Sequence, residues 1–202
     1  IHVMEPGENV RAIAKRSQFE LLVSVHGVID QPPTVHVEGM QPSQMQSAGN
    51  GTFRVKLIAG ENDIAFRVRA GDGMTRRVIL PVRERPALQQ FAKQYTLPAY
   101  LDSAVLEEVS DHGNLSAVQG STARISSRFT EPVSDVSIVF IAEEGPKAGT
   151  EQAVAVESLS EDGTVSFPVP MNHSGAYRIR AVSRAWGIDS DPALANEVRA
   201  LV

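Results

Sequence analysis

The stretch Asn50-Gly51-Thr52-Phe53-Arg54-Val55-Lys56-Leu57-Ile58-Ala59-Gly60-Glu61-Asn62-Asp63-Ile64 decides the fold class of this chain. Asn-Gly readily adopts positive φ at both central positions of a tight turn, so it favours a hairpin. After the turn, Phe53, Val55 and Leu57 alternate with polar side chains, which is the period-two pattern of a half-buried strand. A second turn leads into another alternating run that begins at Ile64. The stretch therefore predicts short antiparallel strands joined by tight turns.

Comparable runs recur along the rest of the chain. Phe19, Leu21, Val23 and Val25 alternate on one face of a predicted strand, and a polar loop is expected over residues 39–49. In the second half, the candidate strands are 104–109, 115–118, 122–129, 134–141, 152–157, 164–169, 175–183 and 194–202. Short strands at regular spacing with turn residues between them are typical of β-sandwiches. The predicted fold class is all-β, with two tandem antiparallel β-sandwich domains.

The domain boundary is predicted near Arg83–Pro86, because this charged run ends in a proline, which cannot occupy a central strand. We predict a first domain over residues 1–85, a linker and lead-in segment over 86–103, and a second domain over 104–202. Within the linker, residues 87–93 are compatible with one or two helical turns.

Composition excludes several function classes. The chain has no cysteine, which excludes a disulfide scaffold, thiol catalysis and thiolate metal sites. Its net charge of −5 repels phosphate backbones, so nucleic acid is not expected as a partner. No apolar run approaches the about 18 residues of a membrane span, and the chain begins at Ile1 rather than Met. We expect a processed or cut start, and membrane attachment only through an anchor outside this sequence.

Catalytic and metal-binding motifs are sparse. The five histidines form no metal-type pair, and no serine lies in a Gly-x-Ser-x-Gly turn, so we do not expect an enzyme. One candidate metal site remains in the segment Asp189-Ser190-Asp191, whose carboxylates could hold calcium at a loop. The alternative for Asp189 and Asp191 is a solvated turn ahead of Pro192. No other cofactor is expected.

Several turn motifs resemble those of known bacterial modules. The segments 35–39, 50–55 and 57–64, followed by Ala70-Gly71-Asp72-Gly73, are similar to Ig-like domains appended to bacterial surface proteins and secreted glycosidases, of the glucodextranase type. The segments 97–100, 113–121 and 181–190 resemble a cadherin-like Ig-like module of large envelope-anchored proteins. Arg184 departs from that pattern, because an Asp is common at this place. The resemblance implies two Ig-like sandwiches.

The resemblance also implies a function. We expect a non-catalytic spacer or adhesion unit of a larger bacterial cell-envelope protein, periplasmic or extracellular and membrane-anchored in the full-length protein. Its partners would be other domains of the same protein or another envelope protein. The alternative is a glycan- or ligand-binding accessory module of a secreted enzyme, for which Trp186, Tyr95 and Tyr100 are the candidate binding residues because they lie outside the alternating core positions.

Overall fold

The computed structural model describes residues 1–7, 10–101, 105–146, 148–191 and 194–201, and these residues form an all-β protein. The predicted fold class is confirmed. Within the described ranges the only helical element is a turn of 3₁₀-helix at Ala99–Leu101. The chain divides into two compact units. Unit 1 comprises Ile1–Glu84 with Trp186–Ile188, and unit 2 comprises Arg85–Ala185 with Asp189–Val202.

Unit 1 is built from eleven short strands within the described residues. In chain order they are β1 (His2–Glu5), β2 (Ile13–Ala14), β3 (Gln18–Ser24), β4 (Thr34–Val37), β5 (Ser43–Gln44), β6 (Gln46–Gly49), β7 (Thr52–Ile58), β8 (Ile64–Ala70), β9 (Gly73–Met74), β10 (Val78–Leu80) and β11 (Val82–Arg83). One sheet has the order β1-β3-β7-β6 and a second has the order β10-β8-β4-β5, with β9 beside β8. The small pair β11-β2 is parallel, which departs from the purely antiparallel prediction.

The Asn-Gly hairpin forms as predicted. Asn50 and Gly51 have φ angles of 51° and 72°, and they connect β6 to β7 with Gly49 opposite Thr52. Positive φ at both positions matches the right-handed twist of the two strands. The alternating apolar side chains of β7 and β8 pack into one core with those of β3 and β4.

The polar loop predicted over residues 39–49 is wrong in two respects. The segment contains the edge strands β5 and β6, and Met45 between them is buried in the core of unit 1. The Met45 amide donates to the carbonyl of Pro33 at 2.8 Å. The side chains of β5 and β6 are exposed, so the composition of the segment is polar although its backbone is paired.

Unit 2 contains ten strands among the described residues: β12 (Leu88–Thr96), β13 (Val105–Ser110), β14 (Leu115–Val118), β15 (Ser121–Phe129), β16 (Val133–Ala142), β17 (Glu151–Val154), β18 (Ser158–Leu159), β19 (Thr164–Met171), β20 (Gly175–Ser183) and β21 (Ala195–Leu201). Two sheets form, with the orders β13-β12-β15-β19-β18 and β14-β21-β20-β16-β17. The pair β14-β21 is parallel and the remaining pairs of this unit are antiparallel.

Alternate residues along the strands of both sheets form the core of unit 2. Along β15, Ala123, Ile125 and Phe129 are buried while Thr122 and Arg124 are exposed. The ring of Tyr177 packs edge-on against Phe167, with 5.7 Å between the ring centres. Inward-facing side chains on two sheets are the packing of a β-sandwich.

The structure differs from the predicted linker over its described part, residues 86–101; residues 102 and 103 lie outside the described residues. The segment carries β12, a nine-residue strand that pairs with β13 on one side and β15 on the other. The helical turns suggested for residues 87–93 are therefore wrong. Phe91, Lys93 and Tyr95 alternate inward, but a lysine in the middle of the run breaks the apolar pattern that would mark the strand in the sequence.

Candidate functional site

Tyr95, a candidate binding residue, lies in the core of unit 2. Its side chain is 4% exposed, and its hydroxyl lies 3.3 Å from Oε2 of Glu108. Burial, followed by the charge of Glu108, raises the pKa of the Tyr95 phenol to about 12. A ring in this position cannot stack on a ligand at the surface, which corrects the prediction for Tyr95.

Tyr100 has the opposite environment. It lies in the 3₁₀ turn before β13 and is 71% exposed, with its hydroxyl 3.4 Å from the carbonyl oxygen of Gln119. Its ring is therefore accessible to a partner.

Trp186 belongs to unit 1. Its half-buried ring packs beside Ala12, Ala14 and Ile188, and the guanidinium of Arg83 lies 4.7 Å from the ring centre. A cation over an indole face is an attractive arrangement. One face of the tryptophan is thus occupied by the protein's own arginine. The three candidate aromatics consequently have three different environments: core, surface and half-buried.

The two candidate calcium ligands lie on the loop before β21. The carboxylate of Asp189 accepts from Nη2 of Arg180 at 3.2 Å, and the Asp189 carbonyl accepts from Arg85 at 2.9 Å. Asp191 is exposed. Between them, the hydroxyl of Ser190 is buried and accepts from the Ala181 amide at 3.0 Å. Asp189 is therefore held by an arginine, a role that competes with binding a cation.

Within the ranges that the structure describes, no group of three or more His, Cys, Asp or Glu side chains gathers in a metal-binding arrangement. Two carboxylates alone seldom satisfy the 6–8 oxygen ligands that calcium takes. A role for calcium at Asp189 and Asp191 stays a prediction.

Unit 2 contains a buried polar network around Lys93 that none of the sequence motifs above predicts. Lys93 is 2% exposed, and its ammonium lies 2.8 Å from Oε1 of Glu108 and 2.7 Å from the carbonyl oxygen of Asn114. Because the lysine donates to it, the pKa of Glu108 falls below its usual value. The sequence does contain one indication of this network. Phe91, Lys93 and Tyr95 alternate as the inward side of a strand would, and a charged residue on such a side needs a partner.

The same network contacts the segment that crosses from one sheet of unit 2 to the other. The Tyr177 hydroxyl donates to the carbonyl of Gly113 at 2.5 Å, next to the Asn114 carbonyl that Lys93 binds. Burial raises the pKa of Tyr177 above the ordinary range of a phenol. These contacts fix the residues between β13 and β14, so the network has a structural role.

Exposed aliphatic side chains of unit 2 are concentrated around strand β13. Val105, Leu106 and Val109 are 54%, 53% and 62% exposed, and the neighbouring Tyr100 is also exposed. Strand β13 pairs with β12 on one side and is the outermost strand of its sheet. We call the exposed residues Val105 to Val109 of this strand the β13 edge. A strand with one open edge and exposed aliphatic groups favours association with another polypeptide.

The two faces of the β13 edge differ. Directly paired residues point to the same face of a sheet, so Glu108 and Leu106 share the face of the buried Lys93 and Tyr95. Val105, Glu107 and Val109 therefore point to the outer face. The Gln94 side-chain amide donates to Glu107 on this outer face at 3.3 Å. The outer face presents aliphatic, acidic and aliphatic side chains in turn.

No protein-family model matches this chain, and no curated protein matches it. Among solved structures, the chain is similar to the D0–D1 domain of intimin, at 10% identity and a TM-score of 0.29 over 95% of each chain. It is also similar to a pullulanase from Anoxybacillus sp. LM18-11 complexed with maltotriose, at 12% identity and a TM-score of 0.26. That match covers 90% of this chain and spans 25% of the pullulanase.

These similarities are too distant to identify a family or a function. The fold assignment rests on the strand order and the two cores described above. Among the described residues, no helix is long and apolar enough to cross a membrane.

Proposed function

We propose that this chain is a non-catalytic interaction module of a larger bacterial cell-envelope protein, periplasmic or extracellular. Its two sandwich units act as a spacer, and the β13 edge makes the contact with other domains of the same protein or with another envelope protein. Membrane attachment would come from a segment outside this sequence. The proposal treats the chain as a carrier of surfaces, with no reaction of its own.

The observation that carries the proposal is the β13 edge. Three aliphatic side chains, Val105, Leu106 and Val109, are each more than half exposed on the outermost strand of a sheet. Val105 and Val109 lie on the outer face of the sheet and Leu106 lies on the other face. Isolated exposed aliphatic residues are common on protein surfaces, but two on one face of an edge strand favour an interaction there. The free backbone edge adds donors and acceptors that a partner strand can pair.

The alternative, a glycan-binding accessory module, loses one of its three candidate rings. Tyr95 is buried, and the exposed ring of Tyr100 remains. Trp186 carries Arg83 over one face of its ring. Sugar recognition by stacking needs exposed aromatic faces, so the interaction module is the better-supported proposal.

Site-specific photo-crosslinking tests the proposal. A photoreactive phenylalanine analogue replaces Val109 in the full-length protein within the cells that make it. The same analogue at Ile79, an aliphatic residue on strand β10 that is also more than half exposed, is the matched control. We expect a discrete adduct from position 109, with a domain of the same protein or an envelope protein identified by mass spectrometry. Absence of an adduct, or equal labelling from both positions, would refute an interaction through this edge.

A further inference from the structure

We propose that the occupant of the β13 edge is an extended peptide segment that adds as a strand and carries a lysine or arginine between two aliphatic residues at alternate positions. This inference rests on the proposed function, because it names the partner of the same surface. It specifies the partner by main-chain pairing, by apolar contact and by charge.

Main-chain pairing follows from the position of β13. In a β-strand, backbone groups point alternately to the two sides, so pairing with β12 uses only one side of β13. Strand β13 ends the order of its sheet, and the described residues place no strand on its other side. An added strand would satisfy that row of N–H and C=O groups.

Side-chain spacing sets the pattern of the partner. On the outer face, Val105, Glu107 and Val109 follow one another at every second residue. Directly opposite residues of an added strand would lie about 4.5–5.5 Å away between Cβ atoms. Aliphatic side chains opposite the two valines would bury the exposed apolar area, and the residue between them would face Glu107.

Charge decides what that central residue is. The Gln94 amide that contacts Glu107 is neutral and does not compensate its charge. By contrast, Glu108 on the other face is already bound by Lys93. A basic residue opposite Glu107 would add an attractive cross-strand pair, whereas an acidic one would be repelled.

The same charge disfavours a second copy of this chain as the occupant. Antiparallel self-pairing that places Val105 of one copy opposite Val109 of the other would bring the two Glu107 carboxylates face to face. Like charges directly opposite each other destabilise a strand pair. A heterologous segment with a basic centre avoids this repulsion.

Peptide binding to the whole chain tests the inference. The probe is the capped heptapeptide Thr-Val-Thr-Lys-Thr-Val-Thr, and the matched peptide has glutamate in place of lysine. The lysine peptide would form an attractive pair with Glu107 and the glutamate peptide a repulsive one. We therefore expect the lysine peptide to bind at least about fivefold more tightly. We expect its amide chemical-shift changes to centre on β13. Equal affinities, or shift changes elsewhere, would overturn the inference.

Charge reversal sharpens the test. Glu107→Lys should exchange the preference, so that the glutamate peptide binds more tightly. Glu151→Lys, the same change at an exposed position of the edge strand β17, should leave the preference unchanged. Circular dichroism and the melting temperature verify that both variants are folded. An unchanged peptide preference in Glu107→Lys would refute the role of this carboxylate.

Two further outcomes separate this inference from the proposed function. If crosslinking from position 109 succeeds and neither peptide binds, the edge is an interaction site for a different kind of partner, and the inference alone falls. If sedimentation shows a wild-type dimer that crosslinks through position 109 to its own copy, the heterologous segment is refuted. Peptide binding with no cellular adduct would refute the proposed function.

Discussion

The ammonium of Lys93 lies 2.8 Å from a carboxylate oxygen of Glu108, directly across the β12–β13 pair. The lysine side chain has no exposed surface, whereas that of Glu108 is 45% exposed. The pair thus joins a fully buried charge to one that still reaches water. Breaking such a pair from the exposed side leaves the buried charge behind, which costs more than removing both charges.

This difference in burial predicts that removing Glu108 alone destabilises unit 2 more than removing both charges. Glu108→Ala should lower the free energy of unfolding of unit 2 by about 2–4 kcal/mol, because the Lys93 ammonium loses its counter-charge. Adding Lys93→Met to that variant should restore part of the loss, because a methionine fills a similar volume without a charge. Chemical denaturation of the two variants measures both effects. A double variant less stable than Glu108→Ala would contradict this account.

The lowered pKa of Glu108 predicts acid sensitivity. A carboxyl whose pKa is lowered by folding stabilises the native state above its unfolded pKa of about 4.3, and this contribution is lost as the pH falls through the folded value. The difference in unfolding free energy between the wild type and Glu108→Gln should therefore be full near neutral pH and shrink below about pH 4.3. Denaturation over a pH series measures it. Glu107→Gln, at an exposed carboxyl outside the Lys93 pair, is the matched control. A Glu108→Gln difference that persists unchanged into acid would refute the assignment.

A close backbone approach predicts that Gly175 cannot accept a side chain. A Cβ at Gly175 would collide with the carbonyl oxygen of Ile141 on the neighbouring strand. Gly175→Ala should therefore destabilise unit 2 by about 1–3 kcal/mol. At Gly60 a Cβ would meet no atom within 4 Å, so Gly60→Ala should change stability by less than about 0.5 kcal/mol. Equal melting temperatures of the two variants would contradict the strand pairing.

The single tryptophan allows a direct optical test of unit 1. Replacing Arg83 by methionine removes the cation from the ring of Trp186 and also breaks the ion pair of Arg83 with Asp63. The cation–π contact accounts for about 0.5–1 kcal/mol of the resulting loss in stability. We expect the fluorescence of Trp186 to change in intensity and iodide quenching to change with it. Arg77→Met, at an arginine that binds Glu38, should leave the emission as in the wild type. Emission that shifts instead on adding soluble oligosaccharides would favour the glycan-binding alternative.

Calcium binding at Asp189 and Asp191 is tested by thermal unfolding of the whole chain with and without the ion. Because Arg180 already binds the Asp189 carboxylate, about 1 mM calcium should leave the melting temperature unchanged in the wild type. Arg180→Gln frees that carboxylate and is the variant in which weak calcium binding would first be detected. A rise in the wild-type melting temperature that Asp191→Asn abolishes would establish the calcium site.

Local pattern was sufficient for some elements and misleading for others. The Asn50-Gly51 turn and the alternation of Ile64, Phe66 and Val68 were predictable because turn geometry and strand period depend on neighbouring residues. Strand β12 was missed because Lys93 interrupts its apolar face. Met45 was missed because it lies between two polar edge strands.

The candidate binding residues also differ in ways that the local sequence does not predict. Tyr95 and Tyr100 are five residues apart and resemble each other as possible ligand-binding rings, yet one is in the core and the other is exposed. Exposure depends on which strand pairs alongside and which sheet packs above, and residues distant in the chain supply both. The edge position of Val105 and Val109 is likewise a property of the sheet order.

The sequence by itself determined that this protein is all-β, with tight turns and short alternating strands, because φ preferences and side-chain alternation are local properties. Only the tertiary structure decided that Glu108 compensates Lys93, that Tyr95 is buried and that β13 ends its sheet. Each of these depends on contacts between different strands, and local sequence patterns do not specify which strands pair. The free energy of such contacts comes from strand pairing and side-chain burial. Both need two or more segments, so no short stretch of sequence specifies them.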